Sequence, residues 1–184
     1  MKFIETKILD VIIIEPTVFG DSRGYFLESY NKKKFEEVVG KNSFVQDNES
    51  KSSKGVLRGL HFQKPPFEQA KLVRCVEGKV LDIAVDIRKN SKTYGQHVAV
   101  LLSGENKRQL FVPRGFAHGF AVLSETAIFS YKVDNTYAPE YDAGIKYDDK
   151  ELNIDWGLTE NEVQLSAKDK KLIFFKDLDS PFKF

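Results

Sequence analysis

Short apolar runs rich in Val, Ile, Phe and Tyr recur along this chain at roughly ten-residue intervals, separated by Gly, Pro, Asn and Asp. The rhythm predicts β-strands at Val11 to Glu15, Tyr25 to Tyr30, Val56 to Phe62, Val98 to Leu102, Gln109 to Val112, Phe120 to Leu123 and Ala127 to Val133. Leu81, Ile83, Val85 and Ile87 alternate with Asp82, Ala84 and Asp86. With Gly78 as a turn after Val73-Arg74-Cys75-Val76, that alternation predicts a half-buried hairpin. Helical patterning is confined to Lys32 to Val39, with Asn31 as cap and Gly40 as stop, and to a short stretch after Ser166. The polar stretch Asp47 to Lys54 reads as a loop between two strands. So many strands and so little helix predict an all-β fold, a barrel or jelly roll with a few short peripheral helices.

Length adds that one domain, residues 1–184, is expected, and 41% hydrophobic with 30% charged residues is ordinary globular composition. The 28 basic and 27 acidic side chains leave a net charge of +1, so no global field favours nucleic acid or an anionic membrane, and any phosphate site has to be local. The early apolar run Val11 to Ile14 is too short for a signal core or a bilayer span, so the chain reads as cytoplasmic. The single cysteine, Cys75, excludes an internal disulfide framework and sits in alternating flanks that suit a small core hydrophobe.

Two segments change the picture from fold to chemistry. Gly55 is followed after five residues by His61, and Pro113-Arg114-Gly115-Phe116-Ala117-His118 has a Pro-x-Gly-x-x-His pattern. Their spacing resembles the paired motifs of the cupin barrel, which often holds a metal. Where a second histidine ligand would follow His61, however, this chain has Gln63. An imidazole-held metal usually needs three protein ligands. Of the three histidines, His97 lies in an unremarkable strand beside Gln96, and adding Glu68 to His61 and His118 gives only a weak trio. The expectation is no metal, with two histidines free for proton chemistry. A lone strand histidine is more often structural, but two that each follow a glycine-marked turn shift the balance.

The run Val56-Leu57-Arg58-Gly59-Leu60-His61-Phe62-Gln63, followed by Ala70-Lys71-Leu72-Val73-Arg74, closely resembles the dTDP-4-dehydrorhamnose 3,5-epimerase family. The likeness continues in order through Arg23-Gly24-Tyr25-Phe26, Phe44-Val45-Gln46-Asp47-Asn48, Pro113 to Phe120, Tyr131-Lys132 and Leu165-Ser166-Ala167-Lys168-Asp169. It implies a cupin-like jelly roll, no cofactor, and a nucleotide-linked keto sugar as substrate. It also implies a homodimer whose N-terminal strands reach toward the partner's site. By the same resemblance His61 is the general base, Asp169 its orienting carboxylate, Tyr131 the acid on the opposite face, and Lys71 the neighbour of the keto oxygen. Arg23, Glu28, Gln46, Asp47, Asn48, Arg58, His118 and Asp142 would surround the nucleotide sugar, with Phe26 and Tyr137 as stacking surfaces for the thymine. Asp142 departs from the pattern, which often has glutamate there.

The chemistry explains why such residues belong together. A 4-keto group acidifies C3 and C5, so epimerisation needs a base near neutral pH, a carboxylate to fix its tautomer, a cation at the developing enolate and an acid across the ring. Each position also has a plainer reading. Ser166 to Asp169 resembles a capping box, Tyr131 an ordinary strand aromatic, Arg23 a solvated turn charge, and Gln46-Asp47-Asn48 turn chemistry. Arg58 and Lys71 facing a barrel interior would be costly without an anion, which a diphosphate would supply. A single-carbon epimerase, a non-catalytic sugar-nucleotide binder and a metal-dependent cupin are the competing functions; isotope exchange and metal content separate them.

Overall fold

The computed structural model describes all of residues 1–184. In chain order it contains β1 (Lys2–Glu5), β2 (Ile12–Glu15), β3 (Val18–Asp21), β4 (Gly24–Leu27), α1 (Lys32–Val39), β5 (Gln46–Ser53), β6 (Leu57–Gln63), β7 (Lys71–Glu77), β8 (Lys79–Asp86), β9 (His97–Ser103), β10 (Gln109–Val112), β11 (Phe116–Val122), β12 (Thr126–Val133) and β13 (Asp142–Gly144). One sheet runs β1-β2-β10-β7-β12-β5, a second runs β13-β6-β11-β8-β9, and β3 and β4 form a separate ribbon. Val73, Leu110 and Phe129 of the first sheet share a core with Val80, Ala84, Val100 and Phe120 of the second. The two sheets therefore close face to face as the expected cupin-like jelly roll. No helix is long and apolar enough to cross a membrane.

Both outer faces are covered as well. Asn31 caps α1 by accepting from the Lys34 N–H at 3.2 Å, and Phe35 lies against Tyr30, Phe44 and Phe111 on the outside of the first sheet. Ile145, Leu152, Trp156 and Phe182 from the C-terminal segment cover the outside of the second sheet. That second cover is why every residue of β11 is buried.

It also leaves β8 buried on both faces rather than half-buried. Leu81, Ile83, Val85 and Ile87 pack toward the C-terminal segment, whereas Val80 and Ala84 face the barrel interior, with Asp82 between them. The polar stripe of β8 thus points inward, and Asp82 is fully buried. Nor is there a hairpin at Gly78: β7 pairs with β10 and β12, while β8 pairs with β9 and β11. The turn carries the chain from one sheet to the other, and Gly78, at φ +79°, has the Thr126 carbonyl 2.1 Å from where a Cβ would sit.

Three further expectations need correction. Asp47 to Lys54 is mostly strand, because β5 pairs along its whole length with β12. Its residues alternate between partly buried and exposed, but both faces are polar, so hydrophobic alternation could not reveal it. The strand expected to run to Tyr30 stops at Leu27, and after Ser166 only a three-residue 3-10 turn, Asp169–Lys171, forms.

Candidate active site

A cavity of about 700 Å³ opens between the two sheets. Its first wall carries Gln46, Asn48 and Ser50 of β5, Lys71 of β7 and Tyr131 of β12; its second carries Arg58 and His61 of β6 and His118 of β11. Residues 58 and 61 are an odd number apart and would face opposite sides of a regular strand. A bulge resolves this. The pairing shifts between His118↔His61 and Phe120↔Arg58, so β6 has one extra residue at Gly59-Leu60. Only glycine fits there: at φ +119°, a Cβ on Gly59 would lie 2.6 Å from the Gly119 Cα.

His61 Nε2 lies 2.7 Å from Asp169 Oδ1, and its Nδ1 is buried with no hydrogen-bond partner. Burial pushes the Asp169 carboxyl up, but bonds from His61 and Ser166, the His61 charge and the Gly59 N–H outweigh it and hold Asp169 at about 2. Asp169 is therefore an ionised acceptor, Nε2 carries the proton, and the Nδ1 lone pair is free to take another. The capping reading of Ser166 is also partly correct. Its hydroxyl accepts from the Asp169 N–H at 3.1 Å and donates to Asp169 Oδ2 at 2.5 Å. The one hydroxyl thus holds both the backbone and the carboxylate of Asp169.

Tyr131 faces this histidine from the opposite sheet; burial raises its phenol above the ordinary range, with the Arg58 charge opposing. Burial lowers the Lys71 ammonium to about 8, while the charges of Asp142 and Asp82 resist that shift. Arg58 bonds only the Ser52 hydroxyl, at 3.1 and 3.4 Å, so its charge is available to an anion. Gln46 donates to Asn48 at 2.8 Å along the β5 wall. At the rim, the Tyr137 hydroxyl donates to Asp142 Oδ2 at 3.0 Å, and Lys168 pairs with the same carboxylate.

The donors of a three-ligand metal site do not converge. Glu68 pairs with Arg114 outside the cavity, and His61 and His118 each give one nitrogen to an aspartate. Gln63 is wholly committed to the protein: its amide donates to the Phe67 and Thr136 carbonyls at 2.6 and 3.1 Å and accepts from the Ala138 N–H at 2.7 Å. The side chain in the lost ligand's place braces two loops of the cavity rim.

Residues 5–177 match the family described as dTDP-4-dehydrorhamnose 3,5-epimerase. The chain belongs to that family. The epimerase of Shigella flexneri is 57% identical over 180 residues, 97% of this chain and 98% of the relative. The crystal structure of the dTDP-4-dehydrorhamnose 3,5-epimerase from Elizabethkingia anophelis superposes with a TM-score of 0.92 at 59% identity, covering 96% of this chain and 97% of its own. That of a Legionella pneumophila dTDP-6-deoxy-D-glucose-3,5-epimerase, in complex with dTDP-4-keto-L-rhamnose, superposes at 0.96 with 50% identity, covering 100% and 98%.

In this epimerase-family chain, His61, Asp169, Tyr131, Lys71, Gln46, Asn48, Arg58, His118, Tyr137 and Asp142 all line the one cavity. Four expected residues do not. Asp47 points outward from β5 and pairs with Lys132 at 2.8 Å. Arg23 is paired with Asp21 at the exposed tip of the β3–β4 ribbon, Phe26 is 69% exposed, and Glu28 is held by Lys34 at 2.8 Å. Sequence reasoning missed Asp82, which lies 3.0 and 3.1 Å from His118 Nε2, and Lys168. A charge recurring on alternate positions of β8 was the available signal for Asp82; Lys168, one residue before Asp169, had none.

Proposed function

We propose that this chain epimerises dTDP-4-keto-6-deoxyglucose at both C3 and C5 without a cofactor, on the way to dTDP-L-rhamnose. The observation that carries the reading is the buried, unpartnered Nδ1 of His61, oriented through Nε2 by Asp169 and opposed across the cavity by Tyr131. His61 removes a proton next to the keto group, and Asp169 stabilises the imidazolium that forms. The bond's electron pair moves into the enolate, where Lys71 supplies a fixed positive charge in a partly dry site. Tyr131, on the other wall, returns a proton to the other face of the ring. Arg58 and Lys168 offer cations to the diphosphate and Tyr137 an exposed ring to the base.

The functional unit in this reading is a homodimer. Arg23, Phe26 and Glu28 lie outside their own cavity, and the ribbon exposes Val18, Phe19, Tyr25 and Phe26, a surface suited to a second copy. A monomeric mass in analytical ultracentrifugation would remove that part. The compartment is the cytoplasm, where a lone buried thiol such as Cys75 stays reduced. The deciding experiment is incubation with the keto sugar nucleotide in deuterated water: label is expected at both carbons. Label at one carbon alone means a mono-epimerase, and tight binding without label means a binding protein.

A further inference from the structure

A single base that serves two carbons has to be emptied between them. Abstraction of the first proton leaves its electron pair in the enolate and the proton on His61 Nδ1. Donation from Tyr131 then leaves a tyrosinate. Before the second carbon can react, His61 has to lose that proton and Tyr131 has to gain one.

The way out does not run through Asp169, which faces Nε2, whereas the new proton sits on Nδ1 on the other side of the ring. The other carboxylate near the base is Asp142, with Oδ1 4.0 Å from His61 Nδ1. Strand register puts it there: β13 pairs Asp142 with Gln63, diagonal to His61. The Asp142 side chain is only 9% exposed, yet its other oxygen is held by Lys168 and by the Tyr137 hydroxyl. Those two groups are 51% and 55% exposed, so a single carboxylate separates the buried nitrogen from water.

Resting on the double-epimerase reading, we propose that Asp142 is the proton relay that discharges His61 between the two epimerisations. The imidazolium Nδ1–H passes its proton to Asp142 Oδ1 directly after a small approach, or through one water. The proton leaves Asp142 at the rim through the Tyr137 hydroxyl or to solvent, and the Tyr131 phenolate takes one proton from water. The protein returns to its starting state with one proton lost and one gained, and no oxidant or reductant takes part. The charged and titratable groups around Asp142 are His61, Lys168 and Tyr137, with Lys71 and Tyr131 farther off.

The test is a single turnover with enzyme in excess in deuterated water, counting by mass spectrometry the sugar that carries one or two labels. With the unmutated protein the doubly labelled sugar is expected to dominate. In Asp142→Asn the second exchange is expected to slow about tenfold or more beyond any slowing of the first, so that singly labelled sugar accumulates. Asp142→Glu, which keeps the carboxylate, should restore the ratio. Repeating the reaction at tenfold higher enzyme concentration separates relay from binding. A singly labelled fraction that stays constant supports the relay, and one that vanishes shows that the variant merely released its sugar early. First and second exchange slowing together in Asp142→Asn would overturn the relay while leaving the epimerase reading intact. No exchange in the unmutated protein overturns both.

Discussion

His61 and His118 are directly paired across β6 and β11, line the same cavity and each point Nε2 at a buried aspartate. Their circumstances nevertheless differ. Asp169 collects three donors, from His61, Ser166 and the Gly59 N–H, and stays ionised down to about 2. Asp82 makes its side-chain bonds to His118 alone; burial raises its carboxyl, with the His118 and Lys71 charges acting against that rise, and burial lowers the His118 imidazole. One aspartate is a fixed anion that commits its histidine to a single tautomer. The other shares its charge state with its histidine. The difference teaches that two His–Asp contacts of similar length need not be electrically alike, and that the extra donors on the carboxylate decide whether it is a fixed anion.

The sharpest way to break this comparison is to replace each histidine by asparagine. His61→Asn is expected to lower kcat by about 10²–10⁴, the range for loss of a general base, whereas His118→Asn should act mainly on KM. Steady-state kinetics on the two variants checks it. Equal losses of kcat would mean that both imidazoles move protons, and a near-normal His61→Asn would remove the mechanism.

The same contrast shows where the sequence was legible. Most of the apolar strands and α1 followed from apolar rhythm and a cap, because those signals are local, while β1, β3, β5 and β13 did not. His61 and Asp169 are 108 positions apart, and only the family resemblance joined them before the fold did. The half-buried reading of β8 failed because alternation reports which positions differ, not whether a second layer covers the other side. Here the C-terminal segment claimed the apolar side and left Asp82 beneath His118. The bulge at Gly59-Leu60 defeats any fixed period, and it alone lets Arg58 and His61 share a wall. Arg23 and Phe26 belong to a ribbon outside the barrel and Glu28 follows it, so the fold of this chain does not bring them to its own cavity.

A smaller effect tests the cation beside the two dyads. Lys71, lowered to about 8 by burial, has to be protonated to meet an enolate, so kcat/KM should fall as pH rises through about 8. Lys71→Arg keeps its charge throughout this range, and its profile should lack that limb whatever its absolute rate. A limb of unchanged position in Lys71→Arg would assign the titration to another group.

The smallest expected effect probes what makes Asp169 unlike Asp82. Ser166→Ala deletes one of the three donors and leaves His61 in contact. The folded-state pKa of Asp169 lies below its unfolded value of about 3.9, so its contribution is present in full above that value and is lost as pH falls toward about 2. With the hydroxyl gone, the carboxyl rises toward its unfolded value. The variant should lose about 1 kcal/mol of stability near neutral pH, and little once both forms are protonated in acid. Urea unfolding at pH 7 and at pH 2, where Asp169 is about half protonated in the unmutated protein, should show that loss shrinking. A loss of equal size at both would show that the hydroxyl serves packing or the 3-10 turn alone, and that the dyad owes its ionised state to His61 and the Gly59 N–H.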